Sequence, residues 1–171
     1  MTKKLPERKA NRLAYYDYSQ PNAYFVTICT KDRKNLFWRN VGASIARPQE
    51  VVLSEYGRIV DDAIQRIPAH YTAVSVDNYV IMPNHIHLLL QIHTDSNGRA
   101  MPAPTISTVV QQLKGYITKQ IGFSIWQKLF HDHVIRNDAD YAKIWAYIDN
   151  NPVRWKEDCF FCADGQCPPL Q

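Results

Sequence analysis

The sequence has no unbroken apolar run approaching the roughly 18 residues of a membrane span, which argues against a helical membrane protein. Its charged N-terminal stretch is not followed by a hydrophobic segment, so no secretory signal is expected. Cysteine is sparse: 4 in 171 residues do not make a disulfide framework, and a reducing, cytoplasmic setting is expected. Three of these cysteines, Cys159, Cys162 and Cys167, form a C-x-x-C-x4-C cluster. A structural zinc wants four ligands and no fourth lies close by, so loose tail thiols are the expectation. Internal repeats and low-complexity blocks are missing too. What remains is ordinary globular composition, 46% hydrophobic and 21% charged, consistent with a single domain over residues 1–171 that buries its core without staples.

The formal net charge of +4 is modest but unevenly spread. Lys3, Lys4, Arg8, Lys9 and Arg12 crowd the N-terminus, and Lys31, Arg33, Lys34 and Arg39 follow the first apolar strand. Basic clusters interleaved with aromatics suit a polyanion such as nucleic acid. For the first dozen residues a solvated basic arm explains the pattern equally well.

The most informative stretch is residues 79–93, Tyr-Val-Ile-Met-Pro-Asn-His-Ile-His-Leu-Leu-Leu-Gln-Ile-His. Two β-prone runs flank a Met82-Pro83-Asn84 corner, the signature of a tight hairpin. Side chains alternate along a strand, so His85 and His87 share one face while Ile86, Leu88 and Leu90 line the other as core. Two imidazoles at that spacing, just after a turn, can grip one ion or one phosphate. Leu89 continues the histidine face, which argues against a hydrolase built on three alternating histidines.

Around this stretch the chain reads simply. Residues 1–22 are a basic and aromatic extension, and residues 24–30 are a strong strand. Residues 31–52 read as loop with one short strand near Val51. Leu53, Tyr56, Val60, Ala63, Ile64 and Ile67 repeat at helical spacing until Pro68. Residues 74–81 are the second strand and residues 94–104 a linker loop. Ile106, Val109, Val110, Leu113 and Ile117 mark a second amphipathic helix with Thr105 as N-cap. A fourth strand falls near residues 128–135, and Asn137-Asp138 starts a last helix ending at Asn150-Asn151-Pro152. Residues 156–171 are a C-terminal tail. The order predicts an α+β fold: a ferredoxin-like, split βαβ antiparallel sheet with two helices on one face. The last helix should cover the histidine face.

On that last helix Tyr141, Ile144, Trp145 and Ile148 form the expected packing stripe, at about 100° per residue. Tyr147 lies off the stripe, and Asn151, four residues on, presents a carboxamide beside its phenol.

Taken with His85-Ile86-His87, this helix resembles that of the single-tyrosine HUH endonucleases and transposases, and more closely that of the REP-associated tyrosine transposases. The matching stretches are Tyr16-Asp17-Tyr18-Ser19-Gln20-Pro21 running into residues 24–30, Met82-Pro83-Asn84-His85-Ile86-His87, and Trp126-Gln127. His133-Val134-Ile135-Arg136-Asn137 and Tyr147-Ile148-Asp149-Asn150-Asn151-Pro152-Val153 follow in order.

The resemblance implies Tyr147 as nucleophile and His85, His87 and Asn151 as ligands of a divalent metal, Mg²⁺ or Mn²⁺. Asn151 stands where insertion-sequence relatives carry glutamine. The implied substrate is single-stranded DNA with a REP-like hairpin, cut through a 5′-phosphotyrosine link that frees a 3′-hydroxyl and allows strand transfer. Monomeric and dimeric arrangements are both implied, the dimer exchanging the tyrosine helix. Arg12, Lys31, Arg33, Lys114 and Arg136 are candidate DNA contacts, and His131 and His133 share a strand face that could line the same cleft. Tyr116, beside the second helix's apolar stripe, should lie across the sheet from the histidines. A different class of function is a domesticated relative that binds a hairpin without cutting it. A metal-dependent RNA phosphoesterase is disfavoured, because the paired His-x-Thr motifs of such enzymes are missing.

Overall fold

Apolar alternation on either side of Met82-Pro83-Asn84 produces the predicted hairpin, and the rest of the sheet assembles on it. The computed structural model describes residues 16–18, 20–39, 51–93 and 104–161. Arg12 with the rest of the basic arm, most of the 94–104 loop, Cys162 and Cys167 lie outside the described residues. The elements are β1 (Asn22–Cys29), α1 (Glu55–Gln65), α2 (Ile67–His70), β2 (Val74–Ile81), β3 (His85–Ile92), α3 (Ile106–Ile121), β4 (His131–Val134) and α4 (Asp138–Asn150). Short 3-10 turns occupy Lys31–Arg33 and Trp155–Glu157. The sheet runs β2-β3-β1-β4, with every neighbour antiparallel. The fold is α+β, and the histidine strand β3 is interior.

The two faces of β3 separate as its alternation requires. Ile86, Leu88 and Leu90 are fully buried with Val60 and Ile64 of α1 and Val109, Val110, Leu113 and Ile117 of α3. Leu89 points the opposite way, into a smaller cluster with Ala23, Ile135 and Ile144 and Ile148 of α4. Each main helix is capped by a side chain accepting a backbone N–H: Ser54 from Gly57, Thr105 from Thr108 and Asn137 from Asp140. Such caps satisfy donors that the first helical turn leaves open.

Three details differ from the sequence reading. Pro68 does not simply end a helix. The chain kinks at Arg66, and the proline sits in the first turn of the short α2, where its missing N–H costs nothing. The fourth strand is shorter than residues 128–135. Trp145 is 38% exposed, so the stripe that anchors α4 is Ile144 and Ile148 with Tyr141 at its edge.

Two polar ties complete the docking of α4. β2 has a register irregularity between Val76 and Asn78. Asp77, at that irregularity, accepts from the Tyr141 hydroxyl at 2.9 Å, and Asn78 donates to Asp149 at 2.9 Å. A bulge re-aims side chains that a regular ladder would hold in the sheet. Among the described residues no helix is long and apolar enough to cross a membrane.

Gly57 gives a stability test of this packing. In an ordinary helix interior Gly→Ala stabilises by about 1 kcal/mol. Here a Cβ would stand 2.2 Å from the Phe37 carbonyl oxygen and 3.1 Å from Leu53 Cβ. Gly57→Ala is therefore expected to lower the unfolding free energy, by about 1–3 kcal/mol as for overpacking, in urea titration. A stabilised variant would contradict the packing described.

Candidate active site

β3 leaves the Met82-Pro83-Asn84 corner with His85 and His87 on the face covered by α4 and by the chain after it. The two Nε2 atoms are 3.0 Å apart. Their outer nitrogens are held: His85 Nδ1 lies 2.8 Å from Asn84 Oδ1, and His87 Nδ1 lies 2.8 Å from Thr27 Oγ1. Thr27 is there because β1 pairs with β3 in the register Thr27↔His87.

Asn84 fixes the proton on His85. Its amide nitrogen donates to the Phe160 carbonyl at 2.9 Å and the Arg33 carbonyl at 3.3 Å, which sets which end of the amide is oxygen. That oxygen only accepts, so His85 Nδ1 is the donor and its Nε2 keeps a lone pair. When Thr27 accepts from His87, both Nε2 lone pairs point at one spot, the arrangement outer hydrogen bonds impose on metal-binding imidazoles.

Tyr147 closes the site from α4. Its hydroxyl is 3.4 Å from His87 Nε2 and 3.5 Å from Asp158 Oδ2. That is nearer than the roughly 4–8 Å expected of a phenol and imidazoles that share one phosphate. The ring packs edge-on against Phe25, which itself stacks on His87. Tyrosine and histidines belong to one chain, so no exchange of helices is needed to bring them together.

Asn151 is 4% exposed, and its Oδ1 is a buried acceptor with no hydrogen-bond partner. Its side chain also acts on the Tyr147 phenol and favours ionisation. An orphaned buried oxygen costs free energy unless a ligand completes it.

Asp158 was not anticipated. It lies in the segment after the Trp155–Glu157 turn, where no motif marks it. Its carboxylate is 3.9 Å from His85 Nε2, and the three groups offer ligand atoms within 4.8 Å of one another. Two imidazoles and a carboxylate are a donor set a divalent cation fits, and Asn151, at the end of α4, offers a buried oxygen without a partner among the described residues. The carboxylate adds a hard oxygen that the histidine pair lacks.

The same segment covers the site. The Phe160 ring lies 4.6 Å from that of His85, and His85 and His87 are 0% and 1% exposed. Burial holds both imidazoles neutral at ordinary pH: His87 is lowered to about 3, and His85 is lowered by burial first and then by the His87 and Arg33 charges. Burial and the Asp158 charge push Tyr147 up to about 12.

The other sequence candidates distribute as follows. Arg33 is 6% exposed and sits at the site's edge, with its guanidinium 5.1 Å over the Phe160 ring. Asp32 and Arg33 both take left-handed backbone angles, φ 55 and 51, at about 1–2 kcal/mol each for residues with a Cβ. Lys114 is occupied elsewhere, donating to the Gln127 carbonyl at 2.7 Å. Lys31 and Arg136 are exposed. His133, opposite Phe25 in the β1–β4 register, is bonded to Asp140 at 2.8 Å. Tyr116 lies on α3, on the far face of the sheet, with Arg66 over its ring. Cys159 is a free, exposed thiol.

No family model matches the chain. An uncharacterized protein of Haemophilus influenzae is 31% identical over 170 residues, covering 88% of this chain and 91% of that one. A second protein of the same organism, provisionally named a REP-associated tyrosine transposase, is 27% identical over 81% of this chain and 74% of its own length. The chain is thus similar to proteins named REP-associated tyrosine transposases. Its fold is like that of a REP-associated tyrosine transposase solved bound to a REP hairpin, with TM-score 0.57 and 21% identity over 86% of this chain and 74% of that one. Those relatives are named for a tyrosine, and in this chain Tyr147 stands against a histidine pair.

The neutral histidines predict a specific acid sensitivity. The unfolded chain binds a proton at each histidine below its ordinary pKa of about 6.5, and the folded chain resists it. Stability is therefore fully present above about 6.5 and falls as pH drops from there toward the folded value of about 3. Each such histidine contributes a slope of about 1.4 kcal/mol per pH unit. In chemical denaturation from roughly pH 6 down to roughly pH 4.5, inside that window, His87→Gln should flatten the slope by about one proton. An unchanged slope would mean His87 is not buried neutral.

Proposed function

We propose that the protein is a metal-dependent single-stranded DNA endonuclease and strand transferase that acts at hairpin-associated sites through a 5′-phosphotyrosine intermediate. The observation that carries this reading is the Tyr147 hydroxyl, 3.4 Å from a histidine whose Nε2 is 3.0 Å from that of its neighbour. One phosphate can touch both groups. The hairpin is inferred from the name of the solved relative.

His85, His87 and Asn151 would hold the cation, with Asp158 as a further oxygen donor. A bound Mg²⁺ or Mn²⁺ supplies Lewis-acid polarisation of the scissile phosphate, and two imidazoles suit Mn²⁺ better. Tyr147 forms a bond to phosphorus as the P–O3′ bond breaks. The phenolic proton leaves to water, and the 3′ oxygen takes one up. A phenol held at about 12 is protonated at neutral pH, so its attack depends on the positive charge brought near it. Asn151 helps by favouring the phenolate. The Phe160 ring lies against that of His85, so the phosphate enters as residues 159–160 move aside.

That cover is also what favours a second reading, a hairpin-binding relative that does not cut. Incubation of 3′-labelled, hairpin-bearing single-stranded DNA with Mn²⁺ separates the two. The wild-type chain should become covalently labelled. Tyr147→Phe should abolish the label with the hairpin dissociation constant unchanged within about threefold, because phosphate contacts carry most affinity. Tyr116→Phe should label like wild type. His85→Ala with His87→Ala should lose metal-dependent labelling and keep binding. Wild-type binding without any adduct would establish the second reading, and an adduct on the Tyr147→Phe variant would move the nucleophile elsewhere.

A further inference from the structure

Arg33 is a full positive charge buried at the edge of the site, and the structure gives it poor company. Among the described residues no carboxylate lies within ion-pair distance of it. Among the described residues its guanidinium makes one hydrogen bond, a long one of 3.4 Å to the Cys159 carbonyl, and it lies over the Phe160 ring. Buried guanidinium groups are ordinarily paired with an anion or held by several acceptors. The backbone goes out of its way to place this one. Asp32 and Arg33 sit side by side in the left-handed region, a conformation that persists where the surroundings or a function require it. Lys31 and Lys34, on either side, are exposed. The turn thus drives one basic side chain inward and leaves its neighbours in solvent.

Arg33 lies against Phe160, whose ring is 4.6 Å from that of His85. Its charge acts on His85, on Cys29 and on Cys159. Its carbonyl is tied to Asn84, the residue that orients His85. The partners it does have, Cys159 and Phe160, belong to the segment that must move for a phosphate to enter. When that segment leaves, Arg33 loses its carbonyl and its ring together. An incoming phosphate offers charged oxygens that a guanidinium fork binds far better than one amide carbonyl.

We propose that Arg33 is a catalytic residue that binds a non-bridging oxygen of the scissile phosphate at His85 and His87. There it stabilises the charge that gathers on that oxygen as the Tyr147 oxygen bonds to phosphorus and the P–O3′ bond breaks. It neither gives nor takes a proton: the phenolic proton leaves to water and the 3′ oxygen is protonated from water. This assignment rests on the cleavage reading above. It makes an opposite forecast to the plain structural role, in which Arg33 only pins residues 159–160 over the histidines. Removing a mere pin would expose the histidines and speed the reaction.

The experiment uses the full chain with Mn²⁺ and a hairpin-bearing single strand, selected from a pool because the wild type joins to it. The joined linkage is then replaced by a neutral methylphosphonate. On the native linkage, Arg33→Gln should form adduct about 100-fold more slowly, the loss typical of one charge-stabilising donor. Arg33→Lys should recover about tenfold of that, since it keeps the charge and loses the fork. Hairpin affinity should stay within about threefold, because most affinity comes from other phosphates. On the methylphosphonate, where no anionic oxygen needs neutralising, the Arg33→Gln deficit should shrink to under about fivefold. An Arg33→Gln variant as fast as wild type or faster, or one equally slow on both linkages, would overturn the assignment. If Arg33→Gln does not fold by circular dichroism, the same two-linkage comparison with Arg33→Lys decides. A wild type that joins no strand overturns the cleavage reading and this one together; a wild type that joins while the Arg33 variants match it overturns this one alone.

Discussion

The candidate site hangs on the carboxamide of Asn84, which is 0% exposed and fully used. Its oxygen takes the proton of His85 Nδ1, and its nitrogen reaches the carbonyls of Arg33 and Phe160. Its own backbone carbonyl accepts from the Thr30 amide and the Thr30 hydroxyl, at 2.9 and 3.0 Å. One residue thus joins the end of β1, the start of β3, the left-handed turn and the segment after α4. Buried polar groups are costly when a single partner is missing and specific when all are present. A corner residue with this many obligations fixes the tautomer of the neighbouring histidine as a by-product of satisfying its own amide. That makes the hairpin turn part of the chemistry as well as the topology.

Much of this was legible in the sequence, for reasons of period. Alternation along β3 sorts Ile86, Leu88 and Leu90 from His85, His87 and Leu89, and no other register would bury both sets sensibly. A 3.6-residue period finds Ile144 and Ile148, and leaves Tyr147 off the stripe where a phenol can serve a site. What period cannot reveal is what arrives from a distance. Thr27 reaches His87 through strand register across 60 residues. Asp158 reaches His85 by the chain's return after a 3-10 turn, and one acidic residue in a polar tail carries no signal. The irregularity at Asp77 is equally silent. It ties Tyr141 to β2 by a hydrogen bond that amphipathic patterning cannot predict. Trp145 shows where period itself misleads: its helical spacing puts it on the stripe, yet α4 meets the sheet through two isoleucines and leaves the indole at the surface.

The electrostatics of the site follow from one shortage. Its two imidazoles are neutral, its phenol is protonated, and its one acidic side chain, Asp158, pushes ionisation of the phenol further away. Nothing in that balance favours attack on a phosphate, itself an anion. Positive charge has to be brought in, and the structure holds two places that would supply it. One is the spot where the two histidine Nε2 atoms and the Asp158 carboxylate come together, suited to a divalent cation. The other is Arg33, already charged and held, among the described residues, by one long side-chain hydrogen bond. Access to both is masked by residues 159–160, whose carbonyl and ring occupy the guanidinium a phosphate would take. Cover and site therefore answer the same electrostatic need by different means, and the covered state is stable because it half-satisfies groups that substrate would satisfy fully.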